Sequence, residues 1–161
     1  MALDIRIESA RSSAALALAA ALDALITRLY PGLPVNGVEP DFDAAGGVYA
    51  IGYANGQPVA SGALRDEGGA AEIKRMYVVP AVRGRGYARA MLAFLEAEAA
   101  RRGFARAILE TGDRQPEAIA LYRSAGWAQT DCYGPYVGEP VSLCFAKALA
   151  PASGDRIASD P

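Results

Sequence analysis

The chain of 161 residues contains no histidine. That absence removes Ser-His-Asp and Cys-His catalysis and most zinc sites, because each needs imidazole as base or ligand. Proton transfer must run through carboxylate, tyrosine, lysine, cysteine or water. Cysteine is scarce too. Cys132 and Cys144 lack C-x-x-C spacing, and two reduced thiols embedded in strands are expected rather than a disulfide or a nucleophile. Neither sign of charge is in excess: Lys and Arg number 16 against 18 Asp and Glu. No polybasic face for nucleic acid or anionic lipid follows from that balance. Long hydrophobic runs are missing as well. The longest, residues 14–26, is alanine-rich, broken by Asp23 and too short to span a bilayer, and no charged leader with a cleavage site precedes it. A soluble, cytoplasmic protein without a structural metal is the expectation.

What is present suits one compact domain. About half the residues are apolar, at 52%, and 21% are charged, and a chain of this length can bury most of the surface that its unfolded form exposes. A single domain over residues 1–150 is expected, followed by a disordered tail over 151–161 that is rich in Ser, Gly, Asp and Pro.

Leu3, Ile5 and Ile7 alternate with polar residues, as a half-buried first strand should. Ser9 or Ser12 can cap a helix running to about Leu29, with Leu18, Leu22, Leu25, Ile26 and Leu29 on one face and Pro31-Gly32 as its stop. Residues 31–46 carry three prolines and little periodicity, so a loop is expected there. Short strands follow at 48–54, 58–64 and 71–79, joined by Asn55-Gly56 and Gly68-Gly69 turns. Ala88, Met91, Leu92, Leu95 and Ala99 then fall at helical spacing, with Glu96 and Glu98 breaking the apolar surface and Gly103 at the C-terminal cap. A buried strand at 104–110, a short helix at 116–124 and two strands at 127–132 and 141–147 complete the pattern. The order is β-α, βββ, α, β, α, ββ. The fold class is α/β in the broad sense (α+β).

The stretch "VVPAVRGRGYARAML", residues 78–92, puts glycines and arginines between a strand and a helix. A helix starting near Gly84 offers unpaired N–H groups and the positive end of its dipole, which favour a phosphate. Gly84 and Gly86 let a bulky diphosphate approach the backbone, and Arg83, Arg85 and Arg89 add charge around it. Each such charge contributes roughly 0.3 to 1 kcal/mol when exposed, so several donors must converge. Two other phosphate loops are excluded. Arg89 stands where the dinucleotide fingerprint needs its last glycine, and no G-x-x-x-x-G-K-[ST] run occurs.

The R-x-x-G-x-A run from Arg83 to Ala88, preceded by "AEIKRMYVVP" and followed by "AIALYRSAGW", resembles the coenzyme A signature of the GNAT superfamily of N-acetyltransferases. The resemblance spans residues 3–149 and implies that family's fold, a mixed but mostly antiparallel sheet of six or seven strands flanked by helices. It implies acetyl-CoA as co-substrate. The diphosphate would lie on Arg83, Gly84, Arg85, Gly86, Tyr87 and Ala88, with Arg89 assisting. The pantetheine arm would lie along Met76, Tyr77, Val78 and Val79, its backbone pairing with Val78 and Val79 in the gap between the fourth and fifth strands. Where many relatives carry asparagine this chain has Gln115, with the same donor and acceptor types on a longer stem.

An acceptor amine must lose a proton before its lone pair can attack a thioester. By resemblance Glu72 is the expected general base, with Glu110 next, and Tyr122 is the expected acid toward the departing thiolate and a coenzyme A contact. Tyr133 and Tyr136, in the loop at 133–140, and the segment at 30–42 would border the acceptor. Lys74 and Arg75 would meet an acceptor carboxylate, and Glu72 and Glu110 an amine. The implied activity is direct acetyl transfer to a primary amine of a small molecule or peptide, with no nucleic-acid or membrane partner and with homodimerisation through the C-terminal strands. A non-catalytic acyl-CoA sensor on the same fold is the alternative.

Overall fold

The computed structural model describes residues 2–33 and 41–151. Strand β1 (Asp4–Glu8) leads to helix α1 (Ser13–Leu29), then to β2 (Val48–Ala54), β3 (Gln57–Glu67) and β4 (Ala70–Val78). A short 3-10 turn (Pro80–Val82) precedes α2 (Tyr87–Arg101), β5 (Arg106–Gly112), α3 (Pro116–Ser124) and β6 (Ala128–Thr130). A second 3-10 turn (Gly134–Tyr136) leads to β7 (Ser142–Ala148). Of the two serines able to cap α1, Ser12 does so, its Oγ accepting from the Ala15 amide at 3.1 Å. Ser9 instead donates to Asp43 at 2.7 Å.

The strands form one seven-stranded sheet in the order β1-β2-β3-β4-β5-β7-β6. All neighbours are antiparallel except β4 and β5. That parallel pair is short: it runs from Ala71↔Ala107 to Ile73↔Leu109, although β4 continues to Val78 and β5 to Gly112. Beyond Ile73 the two strands therefore part.

A bulge accompanies the parting. The β3–β4 register shifts between Ser61 and Ala63, and opposite the shift Arg75 takes a left-handed backbone with φ of 59°. Such a conformation is strained for a non-glycine residue and bends its strand. Ser61 Oγ holds it by donating to the Arg75 carbonyl at 3.2 Å. Gly62 lies across from it, where a Cβ would fall 2.7 Å from Leu95 Cδ1.

Two layers cover the sheet. The larger core joins Met91, Leu92 and Leu95 of α2 to Leu64, Ile73, Leu109 and Phe145 of the sheet, with Tyr122 of α3 and Trp127 at its margin. Each such large side chain, fully buried, contributes about 1.5–3 kcal/mol of transfer free energy. The smaller core sets Ala15 and Leu18 of α1 against Tyr49, Ile51 and Ala63, with Phe42 edge-on to Tyr49.

Three expectations are corrected. Ile7 is 50% exposed, because β1 is an edge strand with a neighbour on one side only. Glu98 does not break the apolar surface outward: it is 8% exposed and accepts from Arg101 and Arg102, with Arg102 Nε at 2.9 Å, which hold its carboxyl below the usual range. Cys132 and Cys144 are joined as a disulfide. The pairing of Thr130 with Cys144 carries Cys132 across the strand, to a Cα separation of 5.1 Å that a disulfide readily spans. No described helix is long and apolar enough to cross a membrane. Residues 152–161 of the expected tail and 34–40 of the proline-bearing loop lie outside the described residues.

Candidate active site

At the end of β4 the chain turns through residues 83–86, all exposed. Gly84 and Gly86 both have φ of 80°, a backbone that costs other residues about 1–2 kcal/mol, and a Cβ at either would point into open space. Gly86 is the N-cap of α2, whose first backbone bond runs from Ala90 N to Gly86 O at 3.0 Å. Among the described residues, no backbone carbonyl outside α2 accepts from the amides of residues 84–89, and the leading amides of a helix have none within it. They face outward with the positive end of the helix dipole, and such a site suits a diphosphate.

The arginines of this turn go separate ways. Arg85 is exposed. Arg89 donates to Ser124 Oγ of α3 at 2.6 Å. Arg83 folds back over the Tyr77 ring and donates from Nε to the Val78 carbonyl at 3.0 Å. Tyr87 is buried and Ala88 packs against the larger core, so their side chains anchor the helix while their amides remain at its tip. Met76 also packs against that core.

Backbone pairing at Val78 and Val79 differs from the expectation for the second residue. The Val79 amide donates to Val59 O at 2.9 Å and its carbonyl accepts from Val82 N at 3.2 Å, so both groups are engaged within the fold. Strand alternation then turns Val78 toward the parting of β4 and β5. The Val78 carbonyl accepts from Arg83 Nε.

Below the turn, where the two strands part, lies a cleft of about 220 Å³. Glu72, Lys74, Glu110, Gln115, Tyr122 and Tyr136 line it, with Leu22 and Ile26 of α1 on its wall. Glu72 pairs with Ile108, and a parallel ladder places paired residues on one face. Glu72, Lys74 and Glu110 therefore share the face covered by α1, while Ile73 and Leu109 point into the α2 core.

Glu72 is 3% exposed. Its Oε1 accepts from Arg65 at 3.0 Å and its Oε2 from the Tyr133 hydroxyl at 2.7 Å. Arg65 lies directly opposite it on β3. Arg65 also pairs with Glu67. Burial, and then the bond to Glu72, raise the Tyr133 phenol well above its ordinary range and keep it a donor.

Glu110 is held more loosely. Ser142 Oγ donates to it at 3.4 Å. Burial raises its carboxyl above the ordinary value, the Lys74 charge partly offsets this, and the carboxylates of Glu72 and Glu139 add to the rise. Tyr122, on α3, is buried beside Trp127 and Phe145. Burial raises its phenol strongly, and the charge of Glu110 raises it further, so Tyr122 stays protonated near neutrality.

The remaining residues frame the cleft. Lys74 Nζ donates to Tyr136 Oη at 3.0 Å and lies 5.6 Å from the centre of that ring. Tyr133 and Tyr136 meet edge to face at 5.6 Å, and the disulfide at Cys132 ties the base of their loop to β7. Arg75 bonds to Asp23 at 2.9 Å and to the Ala19 carbonyl at 3.1 Å, which fastens the bulge to α1. Gln115 is the N-cap residue of α3 and makes no capping bond with its side chain. Sequence reasoning missed Arg65, Ser142, Leu22 and Ile26 as parts of the site. Arg65 was within reach: a two-residue Gly68-Gly69 turn sets the register that places it opposite Glu72.

The family model described as "Acetyltransferase (GNAT) family" matches residues 19–127. An IAA acetyltransferase from Azospirillum brasilense is 40% identical over 103 residues, which cover 63% of this chain and 67% of that protein. Among solved structures, a Klebsiella pneumoniae protein assigned to the acyl-CoA N-acyltransferases superposes with a TM-score of 0.79 at 31% identity, covering 92% of this chain and 98% of its own. The PaiA N-acetyltransferase of Thermoplasma acidophilum, solved in complex with coenzyme A, superposes with a TM-score of 0.68 at 15% identity. That alignment covers 92% of this chain and 99% of the Thermoplasma chain, and at such identity the likeness is one of fold.

Proposed function

The chain belongs to the GNAT family of acetyltransferases, and from that premise we propose that it moves the acetyl group of acetyl-CoA directly onto a primary amine. It is an acyltransferase on a fold that binds an acyl-CoA and an acceptor. The observation that carries the finer reading is a coincidence of place. The strand β4 lines a cleft with residues 72–76 and runs on into the glycine-bearing turn that starts α2, and a loosely held carboxylate and a protonated phenol line that same cleft.

The residues present fit acetyl-CoA. The amides following Arg83, with Gly84 and Gly86 clearing their approach, would hold the diphosphate, and Val78 would pair with the pantetheine arm. Gln115 lines the same cleft and would reach the arm from the α3 side. Bound there, acetyl-CoA supplies an electrophilic thioester carbonyl. Glu110 takes a proton from the acceptor ammonium and frees its lone pair. As the nitrogen–carbon bond forms, the carbon–sulfur bond breaks, and Tyr122 gives its proton to the coenzyme A sulfur. The second nitrogen proton restores Tyr122 through solvent, and one proton is released per turnover.

Glu110 is preferred to Glu72 as base on geometry. Both oxygens of Glu72 already accept from strong donors, whereas Glu110 has a single long contact and a carboxyl raised toward the range where a base works best. Glu72 then acts through Tyr133, holding the loop that closes the cleft. The test is free-thiol release from acetyl-CoA across a panel of primary amines. Amine-dependent release supports transfer; tight coenzyme A binding without release from any amine would favour a sensor instead.

A further inference from the structure

We infer that the Cys132–Cys144 disulfide is a thiol–disulfide exchange site: a dithiol reductant opens it, and its state sets how firmly the loop at 133–140 is held against the cleft and how well an acceptor binds there. The exchange site stands on the loop's own contacts, and its effect on the acceptor rests on the transfer reading.

Backbone bonds from Tyr136, Val137 and Glu139 end on Tyr133, Gly134 and Tyr136, within the loop itself. Gly134 and Gly138 take left-handed backbones, with φ of 52° and 76°, and residues 137–140 are all exposed. Side-chain bonds reach across to β4: Tyr133 Oη donates to Glu72 Oε2 at 2.7 Å, and Lys74 Nζ donates to Tyr136 Oη at 3.0 Å. Each replaces a bond to water, so each holds only weakly on its own. The covalent tie stands at the base of the loop, where Cys132 precedes Tyr133 and is joined to Cys144 of β7. A cross-link restricts the opened states of the segment beside it, so breaking it gives the loop a wider range of them.

The two cysteines differ in access. Cys144 is 0% exposed, while Cys132 is partly exposed and lies outside any strand or helix. An incoming thiolate therefore attacks Cys132 Sγ; a mixed disulfide forms as the bond to Cys144 Sγ breaks, and Cys144 takes up a proton. The second thiol of the reductant then attacks the mixed disulfide, Cys132 leaves and is protonated, and the reductant ends as a disulfide. Two electrons and two protons have passed to the cysteines. Cys144 leaves into a buried position beside Glu110, its ladder partner on β5, where a thiolate is disfavoured. Exchange is slow on that account, which suits a lasting state rather than a step of each turnover.

Opening leaves the scaffold in place. Thr130 stays paired with Cys144 in the β6–β7 ladder, and Glu110 with Cys144 in the β5–β7 ladder, because both pairings are made by the backbone. Register therefore keeps Cys132 beside Cys144 for reclosure by a disulfide oxidant, and it keeps the Glu110 backbone where it is. What reduction changes is the hold on Tyr133 and Tyr136.

The experiment equilibrates the full chain at a series of ratios of reduced to oxidised dithiothreitol. Trapping with iodoacetamide and mass measurement give the fraction opened, and amide hydrogen exchange follows residues 133–140. After dithiothreitol is removed in the absence of air, acceptor KM and kcat are read from loss of the acetyl-CoA thioester across a panel of primary amines, and coenzyme A affinity from calorimetry. Reversible opening is expected, with roughly tenfold faster exchange at 133–140 and unchanged protection in β5 and β7. The acceptor KM should rise several-fold while kcat and coenzyme A affinity change little, and Cys132→Ser should show the reduced values at every ratio. A disulfide that survives excess dithiothreitol until β5 and β7 lose protection overturns the inference. So does opening that leaves exchange at 133–140 or the acceptor KM unchanged. Reversible opening with faster loop exchange but no turnover with any amine upholds the exchange site and defeats the transfer reading.

Discussion

The Tyr133 hydroxyl donates to Glu72 Oε2 at 2.7 Å across 61 residues of chain. This contact fixes the loop at 133–140 to the strand that leads into the turn at 83–86, so on the proposed reading Glu72 is a positioning residue. Tyr133→Phe and Glu72→Gln should then behave alike, each raising the acceptor KM several-fold with a smaller fall in kcat. Their double variant should be little worse than either single one, since partners in one contact are non-additive. Steady-state kinetics on the four proteins check this. A loss of about a hundredfold in kcat confined to Glu72→Gln would return the role of base to Glu72.

Glu110 gives a pH signature. Burial and the neighbouring carboxylates of Glu72 and Glu139 raise its carboxyl, against the opposing effects of Lys74 and the Ser142 hydroxyl. A base works when deprotonated, so kcat/KM should rise with pH through a limb displaced above the ordinary glutamate value of about 4.3. Glu110→Gln should remove that limb and lower kcat by about 10²- to 10⁴-fold. A limb that persists in Glu110→Gln would assign it to another group.

Most of the element order was legible because local chemistry sets it. The Asn55-Gly56 and Gly68-Gly69 turns fix the meander, Pro116 and Gly126 bound α3, and β2 falls on Val48–Ala54 as its pattern predicts. Of the cleft, Glu72, Lys74, Glu110, Gln115, Tyr122 and Tyr136 were named from the sequence through the motifs around them, and they do line it. Contacts made by register and packing were not legible. The disulfide depends on how β6 meets β7, the Arg75 bulge on an absent Cβ at Gly62, and the Glu72–Tyr133 bond on the path of a loop. The fold of Arg83 onto Val78 O likewise depends on a rotamer that spacing cannot encode.

Tyr122 lies between packing and chemistry. The phenol is buried against Trp127 and Phe145, so Tyr122→Phe keeps the ring and removes only the proton donor. Turnover should fall by roughly 10²-fold or more, the scale of lost general-acid catalysis, while coenzyme A affinity and thermal midpoint hold. Undiminished turnover would leave Tyr122 a core residue.

Gly112 ends β5 against α1. A Cβ there would lie 1.9 Å from Tyr30 Oη, whose oxygen accepts from the Arg114 amide at 2.8 Å. Gly112→Ala should therefore destabilise the fold by about 1–3 kcal/mol, as overpacking does. Thermal unfolding measures it, and an unchanged midpoint would mean that the Tyr30 ring is free to move aside.

The account depends most on the grip of the turn after Arg83 on a diphosphate. Isothermal titration of the full chain with coenzyme A and with acetyl-CoA tests it directly, with Gly86→Ala as the comparison because a methyl there projects toward the approach and strains a backbone at φ 80°. Saturable heat is predicted for both ligands, weakening as salt is raised and weaker again in Gly86→Ala. No heat with either ligand at millimolar concentration, or an affinity indifferent to Gly86→Ala, would contradict it.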